Sequence, residues 1–176
     1  MADRPDCIRH WSEVERPDEA RFHATDERRS INAPLAQHFG LGRLGIHHER
    51  LPPGRRTSYP HAESAEQEFV YVIEGTPDVW LDGRLWRLKP GDAVGFPAGT
   101  GQAHSFLNNT ESDVRLLVVG EPDREDNRIV YPLNPERKPH RPDWWDDAPA
   151  RDLGDHDGLP DLERARRTAK HNQDAD

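Results

Sequence analysis

HAESAEQEFVYVIEGTPDVWLDGRLWRLKPGDAVGFPAGTGQAHSFLN, residues 61–108, is the stretch that decides the fold. Residues 69–73 form a run of strand-forming side chains closed by Gly75. Residues 79–81 and 85–88 flank Asp82-Gly83, a pair that supplies the positive φ angles of a tight hairpin turn. Trp80 and Trp86 are expected to face each other across that hairpin as sheet packing. Lys89-Pro90-Gly91-Asp92 is a second turn, residues 93–96 a further strand, residues 97–101 a loop rich in Pro and Gly, and residues 104–107 another strand. Upstream, residues 44–47 read as a strand and Leu51-Pro52-Pro53-Gly54 as a turn; downstream, residues 114–119 complete the series. Short strands at regular spacing, with no convincing helix among them, predict an all-β chain folded as an antiparallel sandwich or barrel.

The flanks differ in composition. Residues 1–36 are charged, with Trp11, Val14 and Phe22 as scattered apolar anchors, and read as an arm lying on another surface. Residues 37–120 form the barrel. Residues 121–176 are an extension rich in proline and charge, pinned by Trp144-Trp145, with a short helix expected over 162–170 and a disordered end. No internal repeat is present.

A chain of 176 residues with this pattern is one domain with appendages. With 33 acidic and 24 basic residues its formal charge is −9, which argues against nucleic acid as a general partner, because phosphate binding depends on a basic surface, while short basic patches such as Arg55-Arg56 remain compatible with a small anion. Cys7 is the single cysteine and has no internal disulfide partner. The N-terminal sequence lacks the apolar core of a secretory signal, so a cytoplasmic address is expected. No apolar run approaches the roughly 20 residues that span a bilayer, so no membrane role is expected. Glycine-rich phosphate loops, a nucleophile elbow and paired CxxC motifs are absent, which removes nucleotide-dependent and serine-hydrolase chemistry.

The chemistry-bearing residues are His61, Glu63, Glu68 and His104. Residues two apart on a strand share a face, so His61 and Glu63 can both point inward, and the polar run 64–67 can turn the chain so that Glu68 enters from the neighbouring strand. An inward Glu68 takes Val70 and Val72 with it, and an inward His104 takes Phe106. Two imidazoles and one or two carboxylates converging in a barrel suit a divalent first-row cation. The spacing alone also fits a solvated loop. Arg55, Arg56 and Tyr59 precede His61 and can reach the barrel mouth, where a guanidinium can grip a carboxylate or phosphate, or can pair with surface acids such as Glu66. His47 can face inward. Asp155-His156-Asp157 is read as a solvated loop, and Cys7 has no base beside it and is not read as a nucleophile.

These residues resemble the two motifs of the cupin superfamily. Gly54, His61, Glu63, Glu68 and Gly75 resemble the first, and Gly91, Pro97, Gly99, His104 and Asn108 the second. Two departures stand out. Glu63 occupies the place of the usual second histidine, and four residues rather than two separate Gly99 from His104. The resemblance implies a double-stranded β-helix, or jelly-roll barrel, holding a divalent metal ion (Fe, Mn, Zn or Ni) on His61, Glu68 and His104. Glu63 is then either a fourth ligand or the catalytic general base. The implied activity is that of a metalloenzyme on a small oxygen-rich molecule, of sugar or keto-acid isomerase type or dioxygenase type, with Arg55, Tyr59 and Phe106 as substrate contacts. The alternative is a non-catalytic cupin that binds or senses a small molecule. By the same resemblance the chain is expected to be a homodimer.

Overall fold

The computed structural model describes residues 4–23, 25–122 and 124–173. Ten strands run in the order β1 (Ile31–Ala33), β2 (Gly45–Leu51), β3 (Ala62–Glu63), β4 (Glu68–Glu74), β5 (Asp78–Leu81), β6 (Arg84–Arg87), β7 (Ala93–Phe96), β8 (His104–Leu107), β9 (Val114–Gly120) and β10 (Ile129–Val130). Among the described residues two α-helices accompany them, α1 (Leu35–His38) and α2 (Asp161–Gln173), with short 3-10 turns at Trp11–Glu13 and Pro135–His140. All named strand pairs are antiparallel. One sheet has the order β1-β2-β9-β4-β7, a second β6-β5-β8, and β10 pairs with β3. The fold is mostly β with antiparallel sheets, as the turn spacing predicts, and it is the double-stranded β-helix that the resemblance implies.

The strands close on one apolar interior. Leu51, Val70, Val72, Val114 and Leu116 from the five-stranded sheet meet Val79 and Phe106 from the three-stranded sheet, with Phe96 at the edge. Each comes from every second residue of its strand, so the alternate residues lie on the outer face. On β4 that outer row is Phe69, Tyr71 and Ile73, all exposed. The buried Asn108 side chain closes the far rim by donating to the Leu51 and Ser112 carbonyls at 2.7 and 2.8 Å.

The hairpin turn has φ of 44° at Asp82 and 82° at Gly83, the left-handed pair of a two-residue turn. That turn fixes the register as Leu81↔Arg84, Trp80↔Leu85 and Val79↔Trp86. The two tryptophans therefore do not face each other. Trp80 is fully buried on the outer face of the three-stranded sheet, whereas Trp86 is 58 % exposed.

The extension is what buries Trp80. Trp145, Val130, Leu133 and Leu153 pack with Trp80 and Leu107 in a second apolar cluster. Trp80 Nε1 donates to the His156 carbonyl at 2.8 Å. Gly83 and Gly154 touch backbone to backbone, so a Cβ at either position would collide. Within residues 155–157, Asp155 and Asp157 are exposed, as expected, while the His156 N–H donates to the Gly83 carbonyl at this seam; Arg164 binds Asp157 at 2.7 Å and lowers its carboxyl to about 2. Helix α2 begins one residue before the expected span and runs longer; residues 174–176, where disorder was expected, lie outside the described residues.

The arm is equally tied down. Strand β1 pairs with β2, Trp11 stacks on His48 with ring centroids 4.4 Å apart, and Phe22 is buried beside Tyr59. Arg55 does not reach the barrel mouth. Its guanidinium makes two bonds to Asp18, 2.7 and 2.8 Å, and holds the Asp18 carboxyl down at about 2.

Arg56 and Glu27 form a buried bidentate pair, 2.7 and 2.9 Å, with both residues 3 % exposed. Arg56 also donates to the Gly158 carbonyl, and Arg167 of α2 adds a bond to Glu27. This node joins arm, barrel and extension. Removing one partner of such a pair strands a charge in the interior, at a cost of roughly 3–5 kcal/mol. Glu27→Ala and Arg56→Ala are each expected to lower the unfolding free energy by about that amount in urea titrations. The double Glu27→Leu/Arg56→Met variant is expected to recover much of the loss.

Candidate metal centre

The two histidines of the separate motifs are brought together by backbone pairing. His61 and His104 form an antiparallel bridge in which each N–H donates to the other's carbonyl, at 3.2 and 2.9 Å. Residues paired this way project to the same face, and the imidazole centroids lie 4.8 Å apart. The two additional residues before His104 do not displace it. The Gly99 N–H donates to the Glu63 carbonyl at 3.0 Å, and Gly101, at φ 70°, turns the loop against Pro149 of the extension.

Backbone carbonyls set the tautomers. His61 Nδ1 lies 2.9 Å from the Tyr59 carbonyl and His104 Nδ1 3.4 Å from that of Gln102. A carbonyl only accepts, so Nδ1 carries the proton in each contact and Nε2 of a neutral ring presents its lone pair. Burial, with the neighbouring His104, lowers His61 to about 4, so it is neutral at physiological pH. The Phe96 ring stacks on His104 at 3.5 Å and 8° and fixes its plane.

Glu68 comes from the opposite sheet, not from the strand next to His61, because residues 64–67 carry the chain from β3 across to β4. Glu68 Oε1 stands 3.3 Å from His104 Nε2. Burial pushes the Glu68 carboxyl up, but His104 and His61 more than offset this and hold it below its ordinary value. Glu63 Oε1 is 4.0 Å from His61 Nε2, on β3 beside Ile129 of β10. Its charge is felt by Tyr131 and Arg141 of the extension.

Two further residues face inward, His47, whose inward orientation the sequence allows, and Glu49, which the sequence reading passed over. Counting back from the core residue Leu51, alternation places Glu49 and His47 on the inner face of β2, a signal the sequence already contained. Asn32 of the arm donates to Glu49 Oε1 at 3.1 Å and lies 3.0 Å from His47 Nδ1. Glu49 Oε2 is buried without a hydrogen-bond partner. Burial raises its carboxyl, against hydrogen bonds from Ser30 and Asn32, and the Glu68 charge adds to the rise. Of the expected substrate contacts, Tyr59 lines a cavity beside His61, Phe106 lies beneath in the core, and Arg55 is occupied by Asp18.

The donors stand as two couples, His104 with Glu68 and His61 with Glu63. Among the described residues no three His, Cys, Asp or Glu side chains are gathered as a finished ligand set. The chemistry of the donors nonetheless fits a cation. His104 Nε2 is buried without a hydrogen-bond partner and stands 3.3 Å from Glu68 Oε1, a couple that a shared proton or a bound cation would satisfy.

Comparison with known proteins agrees with this geometry. Residues 47–120 match the family model of the Cupin domain. The chain is 28 % identical over 131 residues to the polyketide synthase CurC of Streptomyces cyaneus, covering 65 % of this chain and 82 % of that protein. A sugar phosphate isomerase structure of the cupin superfamily, from Silicibacter pomeroyi, aligns at 33 % identity and TM-score 0.55. That alignment covers 58 % of this chain and 64 % of the isomerase, so this chain spans less than two thirds of it. The polyketide cyclase RemF of Streptomyces resistomycificus shares the fold at 24 % identity and TM-score 0.57, over 82 % of this chain and 96 % of its own. The family-model match and the shared fold together mark the barrel, residues 47–120, as a Cupin domain. Among the described residues no helix is long and apolar enough to cross a membrane.

Glu49 gives a pH prediction. With its folded carboxyl raised, it keeps a proton that the unfolded chain releases above about 4.5, so its contribution to stability is lost as pH rises past that value. Glu49→Gln is expected to be more stable than the parent at pH 7 and equal to it at pH 4, measured by paired urea titrations. A variant less stable at pH 7 contradicts this.

Proposed function

We propose that this cupin is a divalent-metal-dependent enzyme that acts on a small, oxygen-rich carbonyl substrate by isomerase-type proton movement. The observation that carries the reading is the buried, unpartnered Nε2 of His104 facing Glu68, with neutral His61 on the adjoining strand. His61, His104 and Glu68 would hold the metal, which when bound polarises a carbonyl or hydroxyl oxygen. The two backbone carbonyls at Nδ1 and the stacked Phe96 ring keep both imidazoles oriented. Glu63 stands 4.0 Å from His61 and towards Tyr131 and Arg141, which favours proton transfer over ligation as its role. The 33 % identity to a structure named a sugar phosphate isomerase favours isomerase-type over dioxygenase-type chemistry.

The protein purified without chelator is expected to carry Mn, Zn, Ni or Fe by elemental analysis. His104→Ala and Glu68→Gln are expected to lose most of it, whereas Glu63→Gln keeps the metal and loses turnover of sugars or keto acids by about 10²-fold or more. Unchanged metal stoichiometry in both ligand variants would sink the reading, and binding of these compounds without turnover would replace it with a sensing role.

A homodimer through the outer face of the five-stranded sheet belongs to the same proposal. Phe69, Tyr71 and Ile73 are exposed there, next to Leu117 and Val119 of β9. Light scattering is expected to give twice the chain mass, and Tyr71→Glu the mass of one chain. A monodisperse monomer of the parent at high concentration removes the dimer.

A further inference from the structure

Beside His61 lies a cavity of about 530 Å³, a size suited to a small-molecule ligand. Its walls come from three separate parts of the chain: Arg21 and Arg29 from the arm, Tyr59 from the segment leading to His61, and Tyr131, Arg137 and Arg141 from the extension. No carboxylate lines it, although the chain carries a formal charge of −9. Arg141 is paired with Asp143 at 2.9 Å. Arg29 and Arg137 make no ion pair among the described residues and instead lie over aromatic rings. Arg29 is 5.6 Å from the Phe22 centroid, and Arg137 is 4.6 and 4.9 Å from those of Tyr59 and Tyr131. A guanidinium held over a ring face keeps N–H donors available for an anion, and Arg137 Nε is buried with no hydrogen-bond partner. The larger hollow between arm and α2, about 590 Å³, differs in this respect: it is lined by Asp26 and Glu163, and of its four cations Arg166, Arg167 and Lys170 are matched by Glu163, Glu27 and Asp26, while the fourth, Arg21, is shared with the cavity beside His61.

We propose that the arginine- and tyrosine-walled cavity beside His61 is an oxyanion-binding site, which holds the phosphate or carboxylate of a substrate whose other end reaches His61. The guanidinium edges of Arg29 and Arg137 bind the oxyanion, with the field of Arg21 and Arg141 behind them. The second half of this assignment rests on the metal-centre reading; the anion site itself does not.

The test titrates metal-stripped protein calorimetrically at low salt with inorganic phosphate, glucose 6-phosphate, gluconate and glucose. Saturable one-site binding of the anionic probes, and none of glucose, is expected. Tighter phosphates identify a phosphate ester as the natural group, and a tighter gluconate a carboxylate; either supports the site. Arg137→Gln and Arg29→Gln are each expected to weaken the anion by about tenfold, and circular dichroism checks that both fold. Arg84→Gln, on the β5–β6 hairpin, is expected to leave affinity unchanged. His104→Ala is expected to keep anion affinity while losing metal, so the two readings fail separately. No saturable binding, parental affinity in both folded cavity variants, or an equal loss in Arg84→Gln overturns the proposal.

Discussion

Three parts of the chain meet at one buried charge pair. Arg56 enters from the barrel, Glu27 from the arm, and the Gly158 carbonyl and Arg167 from the extension. A fully desolvated ion pair is a poor source of stability compared with apolar packing, but it is intolerant of partial assembly. Neither charge can be buried until its partner and the satisfying carbonyl are in place. Such a node makes docking of the arm and of the extension mutually dependent, and so fixes the relative positions of Tyr59, Phe22 and the cavity wall that both segments build.

The barrel interior is graded from polar to apolar. Glu68, His104 and His61 lie at one end; behind them His47 and Glu49 of β2 stand level with Val70 and Val72 of β4, and Leu51 and Val114 lie beyond. The gradient follows from strand alternation applied to sequences whose inward positions change from charged to aliphatic along the strand. A charged layer seated on a dry floor keeps its electrostatic interactions strong while limiting bulk water. Asn32, which bridges Glu49 and His47, shows that the arm reaches this layer as well as the rim.

The barrel was legible because its signals are local. Asp82-Gly83, Pro90-Gly91 and the runs between them dictate turns and strands within a few residues, and two motifs in order tie His61, Glu68 and His104 to one fold. Glu49 and His47 were equally local, since alternation from Leu51 places them, but the strand was read as ending at His47. What the sequence could not carry was long-range. That Arg55 is spent on Asp18, that Glu68 arrives from the opposite sheet, and that Trp80 is covered by residues 130–156 depend on contacts between segments tens of residues apart. No periodicity encodes such pairings. The same holds for the cavity beside His61, whose arginines are scattered over more than a hundred positions and form no motif.

The covering of Trp80 and Leu107 also orders events on the ribosome. All strands of the two larger sheets are complete by Gly120, before Trp145 and Leu153 have been synthesised. A nascent barrel that closes at that point displays the outer face of its three-stranded sheet, with the indole of Trp80 open to water, until the last quarter of the chain emerges. Slow synthesis through the proline-rich stretch would lengthen that interval of stickiness. The extension therefore serves the barrel as a cover that arrives last, and the outer face of the three-stranded sheet is composed for a partner from its own chain rather than for water.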